Sequence, residues 1–368
     1  MSHAPPLFAP LDEALLQRAL PLLDEEWLQR DADLAPVLPV VLARGVGQDW
    51  HKAGTFRHHL VGVARSLSLW QQPREVRLLG LLHSVYGNAF VDLVKFDAAS
   101  ERQRLQQLVG EPAEHLVHRF CTVNRAQFVQ RLLAGEAADD GTLQVELNGP
   151  APRTSVRLSA HEVAAFAVVS MADTIEQWFS WQDEVYSRFP ATDLARRQAV
   201  HWAASLWPGP MRPTARMVSQ VAALGRALRH PALAGQLPMP PVFGGCSLEL
   251  SPRDEAAATA LYWSVVQLDQ PLVDLDGATA TLEQAVRLNP WVGEPQMVLA
   301  QLYLSAGRNA DAARAAAGAL QQFCAWGNSW DKRVQWDAWV AWTRILLQSA
   351  SEGTWPERLD KLNNLALR

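Results

Sequence analysis

One segment constrains the fold more than any other: residues 74–85, REVRLLGLLHSV, are apolar on nearly every side after the first turn. A helix without a polar face is stable only if other elements surround it. The preceding segment, 55–70, repeats Phe, Leu, Val and Trp at helical spacing, with Thr55 placed to cap it and Pro73 placed to start the next helix. The sequence therefore predicts two packed helices in the interior of an all-α domain.

Most of the remaining chain also has helical periodicity. Ser159 and Glu162 match a capping box, which opens a further apolar helix. Only the glycine-containing stretch 134–158 departs from this, and it predicts either a short β-hairpin or a surface loop. Other helices are predicted over 11–30 with a break at Pro21, over 101–133 as two helices separated at 110–112, and over 186–236 as one or two helices.

Composition excludes several classes of protein. Hydrophobic residues make up 49% of the chain and charged residues 19%, which is typical of a packed globular protein and not of a disordered one. The net charge of −5 gives no general attraction to nucleic acids or to anionic membranes. The cysteines lack CxxC spacing, which argues against a thiolate zinc site and a disulfide framework. With no secretory signal in its first residues, the chain is expected in the cytoplasm.

Length and local composition suggest two domains. The segment 237–252 holds four prolines and two glycines, which predicts a linker or a loop that wraps around the first domain. We therefore expect one domain over 1–240 and a second over 253–368. In the second, small and large residues alternate over 278–323 with a period of about 34, which resembles the tetratricopeptide repeat. Five tryptophans follow between 326 and 342, where they favour packing between helices or an aromatic groove.

Three residues on the apolar helices point to chemistry. His59 lies near the start of one helix, His83 at the end of the next, and Asp173 deep in the apolar helix that follows Ser159. Imidazole and carboxylate groups are suitable ligands for iron, manganese or zinc, and packed helices can direct such side chains to one interior point. The alternatives are that His83 bonds a carbonyl, that His59 is a core or capping residue, and that an arginine such as Arg125 holds Asp173 without metal.

These residues also resemble a known pattern. His59, Leu81-Leu82-His83 and Met171-Ala172-Asp173 resemble the metal-binding frame of the HD superfamily over roughly residues 50–180. The resemblance implies an HD-like helical bundle in which His59, His83 and Asp173 bind a divalent ion (Fe, Mn or Zn). Ser84 stands where that superfamily has an aspartate ligand, which argues against a two-metal centre. One metal, aided by His51 or His58, and a pocket that has lost its metal both remain open.

The sequence around His83 also resembles that of an uncharacterised bacterial family with an HD-derived domain, in which HS-x-YG replaces the HD pair. Other residues are candidates for roles near the site. Tyr86 is placed to act as a general acid or to orient a substrate, with a buried hydrogen-bonded tyrosine as the alternative. Arg125, with Lys52 and Arg57, is a candidate for contacting a phosphate. His115 and His118, one turn apart, could share a metal but lack a third ligand.

Two functions follow from these patterns. The first is a metal-dependent enzyme, of hydrolase or oxygenase type, that acts on a small molecule. The second is a non-catalytic binding or scaffold protein, in which the HD-like pocket is degenerate and the tetratricopeptide-like helices bind a protein partner or form a homodimer.

Overall fold

The computed structural model describes residues 7–24, 26–51, 54–88, 93–149, 154–177, 217–246, 249–267, 273–356 and 365–367. The predicted helical residues 186–216 and the candidate Lys52 lie outside these ranges. The chain divides into two compact units. We call Pro21–Gln177 with Gln220–Pro240 the histidine unit, and Met1–Leu20, Trp178–Ser219 and Pro241–Arg368 the C-terminal unit.

Within the described ranges the chain is mostly helical, with only two small sheets, which confirms the all-α prediction. The helices are α1 (Glu13–Ala19), α2 (Trp27–Arg30), α3 (Leu38–Leu42), α4 (Phe56–Leu69), α5 (Arg74–Leu82), α6 (Arg102–Val109), α7 (Glu111–Thr122), α8 (Arg125–Leu133), α9 (Ala160–Glu176), α10 (Met217–Ala227), α11 (Val242–Gly245), α12 (Pro252–Val266), α13 (Leu275–Leu288), α14 (Glu294–Ser305), α15 (Asn309–Trp326) and α16 (Trp336–Glu352). Two small antiparallel sheets pair β1 (Trp50–His51) with β2 (Gly54–Thr55) and β3 (Leu143–Glu146) with β4 (Ser155–Leu158).

The helices predicted over 55–70 and 74–85 form as α4 and α5, but one prediction is wrong. The 11–30 helix is interrupted as expected, because a short 3₁₀ turn at Leu20–Leu22 includes Pro21. The stretch 101–133 forms three helices, so the prediction of two is wrong. The additional break arises because Val123 is extended and the Asn124 side chain accepts a hydrogen bond from the Gln127 amide, which starts α8.

For residues 134–158 the sequence predicted either a β-hairpin or a surface loop. The structure shows the β3–β4 hairpin there, with Leu143 opposite Leu158. Both of these leucines are buried. Directly after the hairpin, the Ser159 side chain accepts a hydrogen bond from the Glu162 amide and the Glu162 side chain bonds the Ser159 amide. The predicted capping box is therefore present, and it fixes where α9 begins.

The apolar helix α5 lies at the centre of the histidine unit. It packs against α4, α7 and α9, and Leu78, Leu79, Leu81 and Leu82 are fully buried. Gly80 allows a close approach to α4, because a Cβ at this position would collide with the side chain of Leu67. This packing explains the missing polar face, and it brings the histidines of α4 and α5 together.

In the C-terminal unit the helices α12 to α16 pack successively against one another, and α1 packs against α15. The tryptophans fill the space between them: Trp326, Trp330, Trp336 and Trp339 are all buried. Trp339 stacks on Phe323 with ring centroids 5.9 Å apart. These four rings therefore serve as packing groups.

Two features bear on the environment of the chain. In the described part of the chain, Cys121, Cys246 and Cys324 are buried and none of them is in a disulfide bond. No helix in the described ranges combines the length and apolar character required to cross a lipid bilayer.

Candidate metal centre

Three helices of the histidine unit bring their polar side chains to one point. His59 lies in the first half of α4, His83 is the C-terminal cap of α5, and Asp173 lies in the last turn of α9. All three are buried. One donor atom from each lies within 4.8 Å of the other two, and among the described residues this is the one set of metal-ligating side chains found to meet in this way.

The distances within this set suit a single metal ion. The two imidazole Nε2 atoms of His59 and His83 are 3.0 Å apart. Asp173 Oδ1 lies 3.3 Å from His59 Nε2 and 3.7 Å from His83 Nε2. Ligand atoms that each bind one ion at about 2.0–2.2 Å lie roughly 2.8–3.6 Å apart, so two of the three separations fall in this range and the third is slightly longer. We call His59, His83 and Asp173 the histidine cluster.

Hydrogen bonds fix which nitrogen of each ring carries the proton. His83 Nδ1 donates to the carbonyl oxygen of Gly80 at 2.7 Å. His59 Nδ1 donates to the Glu176 carboxylate. In the neutral form of each ring, the lone pair is therefore on Nε2 and directed into the cluster. Protein ligands to metals are commonly oriented in this manner by a carbonyl or carboxylate on the opposite nitrogen.

The electrostatics of the cluster favour a positive charge between the two rings. Burial lowers the pKa of His83 to about 3 and keeps it neutral at physiological pH. Burial also disfavours the charged form of His59, but the carboxylates of Glu176 and Asp173 outweigh it and raise the pKa of His59 to about 9. The His59 proton thus lies between two nitrogens, at the position a metal ion would take. Metal and proton must compete for this position.

Asp173 has a second partner, as one of the sequence alternatives proposed. Its Oδ2 accepts a hydrogen bond from Arg125, whose guanidinium lies 4.4 Å from the centroid of the Phe120 ring. Burial alone would raise the pKa of Asp173, but Arg125 and the two histidines hold it well below the usual range. Asp173 is therefore ionised, with Oδ2 paired to Arg125 and Oδ1 in the histidine cluster.

The structure places Tyr86 in a separate hydrogen-bond network. Its hydroxyl donates to Glu114 at 2.9 Å, and Arg102 and Gln106 also donate to this buried carboxylate. Burial and the Glu114 carboxylate raise the pKa of Tyr86. The buried, hydrogen-bonded alternative for Tyr86 is therefore the one that the structure shows.

The other candidates near His83 and His59 occupy different positions. Ser84, which replaces the aspartate of the HD pattern, is buried and accepts a hydrogen bond from Asn88 at 3.0 Å. The ring of His51 lies 4.7 Å from that of His59, centroid to centroid, so this residue borders the histidine cluster. His58 takes part in the cap of α4, where its ring bonds the Thr55 amide.

His115 and His118 make separate contacts. His115 lies 3.3 Å from Glu162 and is largely exposed. The ring of His118 contacts Tyr86 edge to face, with centroids 5.8 Å apart. Arg57, at the start of α4, makes a backbone hydrogen bond to Val46.

Sequence reasoning missed two residues that contact the histidine cluster. Glu176 and Gln177 follow Asp173 by three and four residues, so all three share one face at the end of α9. Glu176 orients His59, and Gln177 Nε2 donates to Asp173 Oδ1 at 2.9 Å. In the sequence DTIEQ, the polar residues at positions 173, 176 and 177 have the spacing of one helix face, and this pattern could have identified them. Gly62 also contributes, because a Cβ there would lie 2.8 Å from Glu176 Cγ.

Comparison with known proteins gives one match. A family model described as a domain of unknown function, DUF6817, matches residues 40–125. This range contains His59 and His83 but not Asp173. No curated protein and no solved structure matches the chain.

Proposed function

We propose that the histidine unit is a divergent HD-like domain that binds one divalent metal ion through His59, His83 and Asp173 and hydrolyses an anionic small molecule. The observation that carries the proposal is the convergence of two imidazole lone pairs and one carboxylate oxygen at metal-ligand spacing. Iron, manganese and zinc all accept this donor set. A divalent ion bound there would polarise a substrate oxygen and lower the pKa of a water molecule.

The residues around the cluster prepare it for a cation. In the neutral rings, hydrogen bonds to Gly80 and Glu176 keep the protons on the outer nitrogens, which directs both Nε2 lone pairs at the ion. The cluster also lies at the C-terminal ends of α5 and α9, where unpaired backbone carbonyls carry partial negative charge. These features lower the cost of placing a divalent ion in a buried site.

Charge balance supports an anionic substrate. A divalent ion together with the carboxylates of Asp173 and Glu176 and the guanidinium of Arg125 leaves one net positive charge. Uncompensated charge in a buried position is costly, so an anion is favoured beside the metal. A phosphate ester or a carboxylate-bearing molecule would supply it. Arg125 acts in this proposal by holding Asp173 ionised and by adding to the positive potential.

One feature of the donor set favours a second chemistry. Two histidines and one carboxylate with open positions are also the ligands of non-haem iron oxygenases. Iron in the purified protein, with oxygen consumption that depends on substrate, would select the oxygenase. Zinc or manganese with hydrolysis would select the hydrolase.

A non-catalytic function is supported by a different observation. Without a metal, the His59 proton and the Arg125 guanidinium together balance Asp173 and Glu176. The histidine unit would then be a structural domain, and the tetratricopeptide-like helices α13 to α16 would bind a protein partner or a second copy of the chain. Absence of metal from the wild-type protein would favour this function.

The test is metal analysis of protein expressed in medium supplemented with iron, manganese and zinc. We expect about one ion per wild-type chain, none in His83→Ala, and full retention in His115→Ala, which alters an exposed histidine outside the cluster. Wild-type protein without metal, or His83→Ala with a full complement, overturns the metal assignment. Loaded protein is then assayed on phosphate and carboxylate esters, with His83→Ala as the inactive control.

A further inference from the structure

The side chain of Gln177 already lies among the donor atoms of the histidine cluster. Its Nε2 is 2.9 Å from Asp173 Oδ1 and 3.1 Å from His59 Nε2. These separations fall within the range expected between two ligands of one metal ion, roughly 2.8–3.6 Å. Gln177 follows the last residue of α9, so the helix that carries Asp173 also fixes its backbone.

The orientation of this amide suits a cluster that holds no metal. An NH₂ group donates hydrogen bonds, and it donates one to Asp173 Oδ1. A half-turn of the terminal amide exchanges Nε2 and Oε1 and leaves the rest of the side chain in place. Among the residues that the structure describes, none donates a hydrogen bond to Gln177 Oε1, so within them the half-turn breaks no bond on the oxygen side.

A divalent cation reverses this preference. It repels the NH₂ end of the amide dipole and attracts the carbonyl oxygen, which is a suitable neutral ligand for hard and borderline ions. The hydrogen bond that Gln177 Nε2 gives up at Asp173 Oδ1 is replaced, because this oxygen then binds the ion. The cluster thus contains a carbonyl oxygen that one torsion brings into place.

A fourth protein ligand would take the place of the aspartate that the HD pattern has at the position of Ser84. The Ser84 hydroxyl already accepts a hydrogen bond from Asn88 and is a weak ligand in any case. We propose that Gln177 completes the metal centre by coordinating the ion through Oε1, in the role that a carboxylate after His83 would otherwise fill. This inference rests on the proposed metal site.

The test compares Gln177→Leu and Gln177→Glu with the wild type. Gln130→Leu is the matched control, because Gln130 is exposed on α8 of the same unit. Zinc affinity is measured by competition with a chelator, and coordination by the visible absorption of cobalt(II) in the same site. Circular dichroism and thermal melts of the metal-free proteins check that each variant is folded.

If Gln177 is a ligand, Gln177→Leu weakens zinc binding at least about tenfold and changes the cobalt spectrum. Gln177→Glu, whose carboxylate can take the same position, restores or tightens binding, and Gln130→Leu matches the wild type. An unchanged affinity and spectrum in folded Gln177→Leu overturns the inference, while loss of metal in His83→Ala would leave the proposed site standing. A wild-type protein that binds neither zinc nor cobalt overturns both.

Discussion

The two units each bury carboxylates, but they satisfy them in different ways. In the C-terminal unit, Asp331 accepts hydrogen bonds from the Tyr262 hydroxyl at 2.8 Å and from Arg333 Nε at 2.9 Å. Glu294 accepts from the backbone amides of Trp330 and Asp331, at 2.6 Å and 3.0 Å. We call Tyr262, Glu294, Asp331 and Arg333 the closed cluster, because a donor of the protein is directed at each carboxylate.

The histidine cluster has the opposite balance. Two Nε2 atoms and one carboxylate oxygen meet with only one proton and one glutamine amide to separate them. Close acceptors repel each other unless a cation lies between them. Buried polar groups in both clusters need a partner. The two clusters differ in whether that partner is a group of the protein or a cation. The closed cluster is completed by the chain, whereas in the proposed function the histidine cluster is completed by an ion from outside.

The comparison is tested most strongly by removing the arginine from each cluster. Arg125→Met and Arg333→Met should each destabilise the metal-free protein by about 3 kcal/mol, since each removes the arginine that pairs with a buried carboxylate. Zinc should recover much of the loss in Arg125→Met, because the ion becomes the counter-charge of Asp173. In Arg333→Met, zinc should stabilise the protein only as much as it stabilises the wild type, so the deficit relative to the wild type should remain. Thermal melts with and without zinc measure both effects, and equal rescue of the two variants would contradict the distinction.

Glu176 tests whether the orientation of His59 matters to the metal. Glu176→Leu removes the acceptor for His59 Nδ1 and should weaken zinc binding about 10- to 100-fold. Zinc affinity is measured at pH 9 in a chelator buffer. At lower pH, loss of the Glu176 carboxylate would also lower the pKa of His59, and the weaker competition from the proton would mask the effect on the metal. Glu111→Leu, which alters an exposed carboxylate on α7, is the control and should bind zinc as the wild type does. An unaltered affinity in Glu176→Leu would remove Glu176 from the site.

Competition between the metal and the His59 proton predicts a pH dependence. The folded protein holds this proton up to a pKa of about 9, so apparent zinc affinity should rise about tenfold per pH unit from pH 7 to 8.5 and level off above pH 9. Isothermal titration in buffers of different ionisation enthalpy should show about one proton released per ion at pH 7. Zinc binding without proton release would show that His59 Nε2 is not a ligand.

Gly62 gives the smallest expected effect. In Gly62→Ala the new Cβ presses on Glu176 Cγ, 2.8 Å away, and should weaken zinc binding about threefold by displacing the carboxylate, less than complete removal of that carboxylate does. Helix propensity favours alanine here by about 1 kcal/mol, so the helix backbone itself does not weaken. Gly47→Ala, where a Cβ would make only an ordinary 3.5 Å contact with Leu42, is the control. If both variants bind zinc equally well, Gly62 has no role in placing Glu176.

The sequence was most informative where one side chain determines the local outcome. Because α5 is apolar on nearly every side, the sequence predicted that it lies in the interior. Because His59, His83 and Asp173 lie on apolar helices, the sequence also predicted that each is buried and has a polar partner. The break at Asn124 was missed because its cause is a cap within an otherwise helical pattern. Capping depends on the backbone at one residue, and periodicity over a longer window does not detect it.

The partners of the cluster were harder to predict because they depend on packing between helices. Glu176 meets His59 only because α4 and α9 pack together, with Gly62 at the contact. Tyr86, close to His83 in sequence, is directed at Glu114 on α7, and sequence proximity gave no indication of this direction. Spacing along a helix can place residues on one face, but it does not identify the atoms on the opposing helix.

X-ray absorption spectroscopy of the zinc-loaded protein tests the central claim most directly. We expect one zinc ion per chain, with two imidazole nitrogens and further oxygen ligands at about 2.0–2.1 Å and no sulfur ligand. In His83→Ala the signal of a bound, imidazole-coordinated ion should be lost. A zinc environment without two imidazoles, or the same environment in His83→Ala, would contradict the assignment of the histidine cluster as a metal centre.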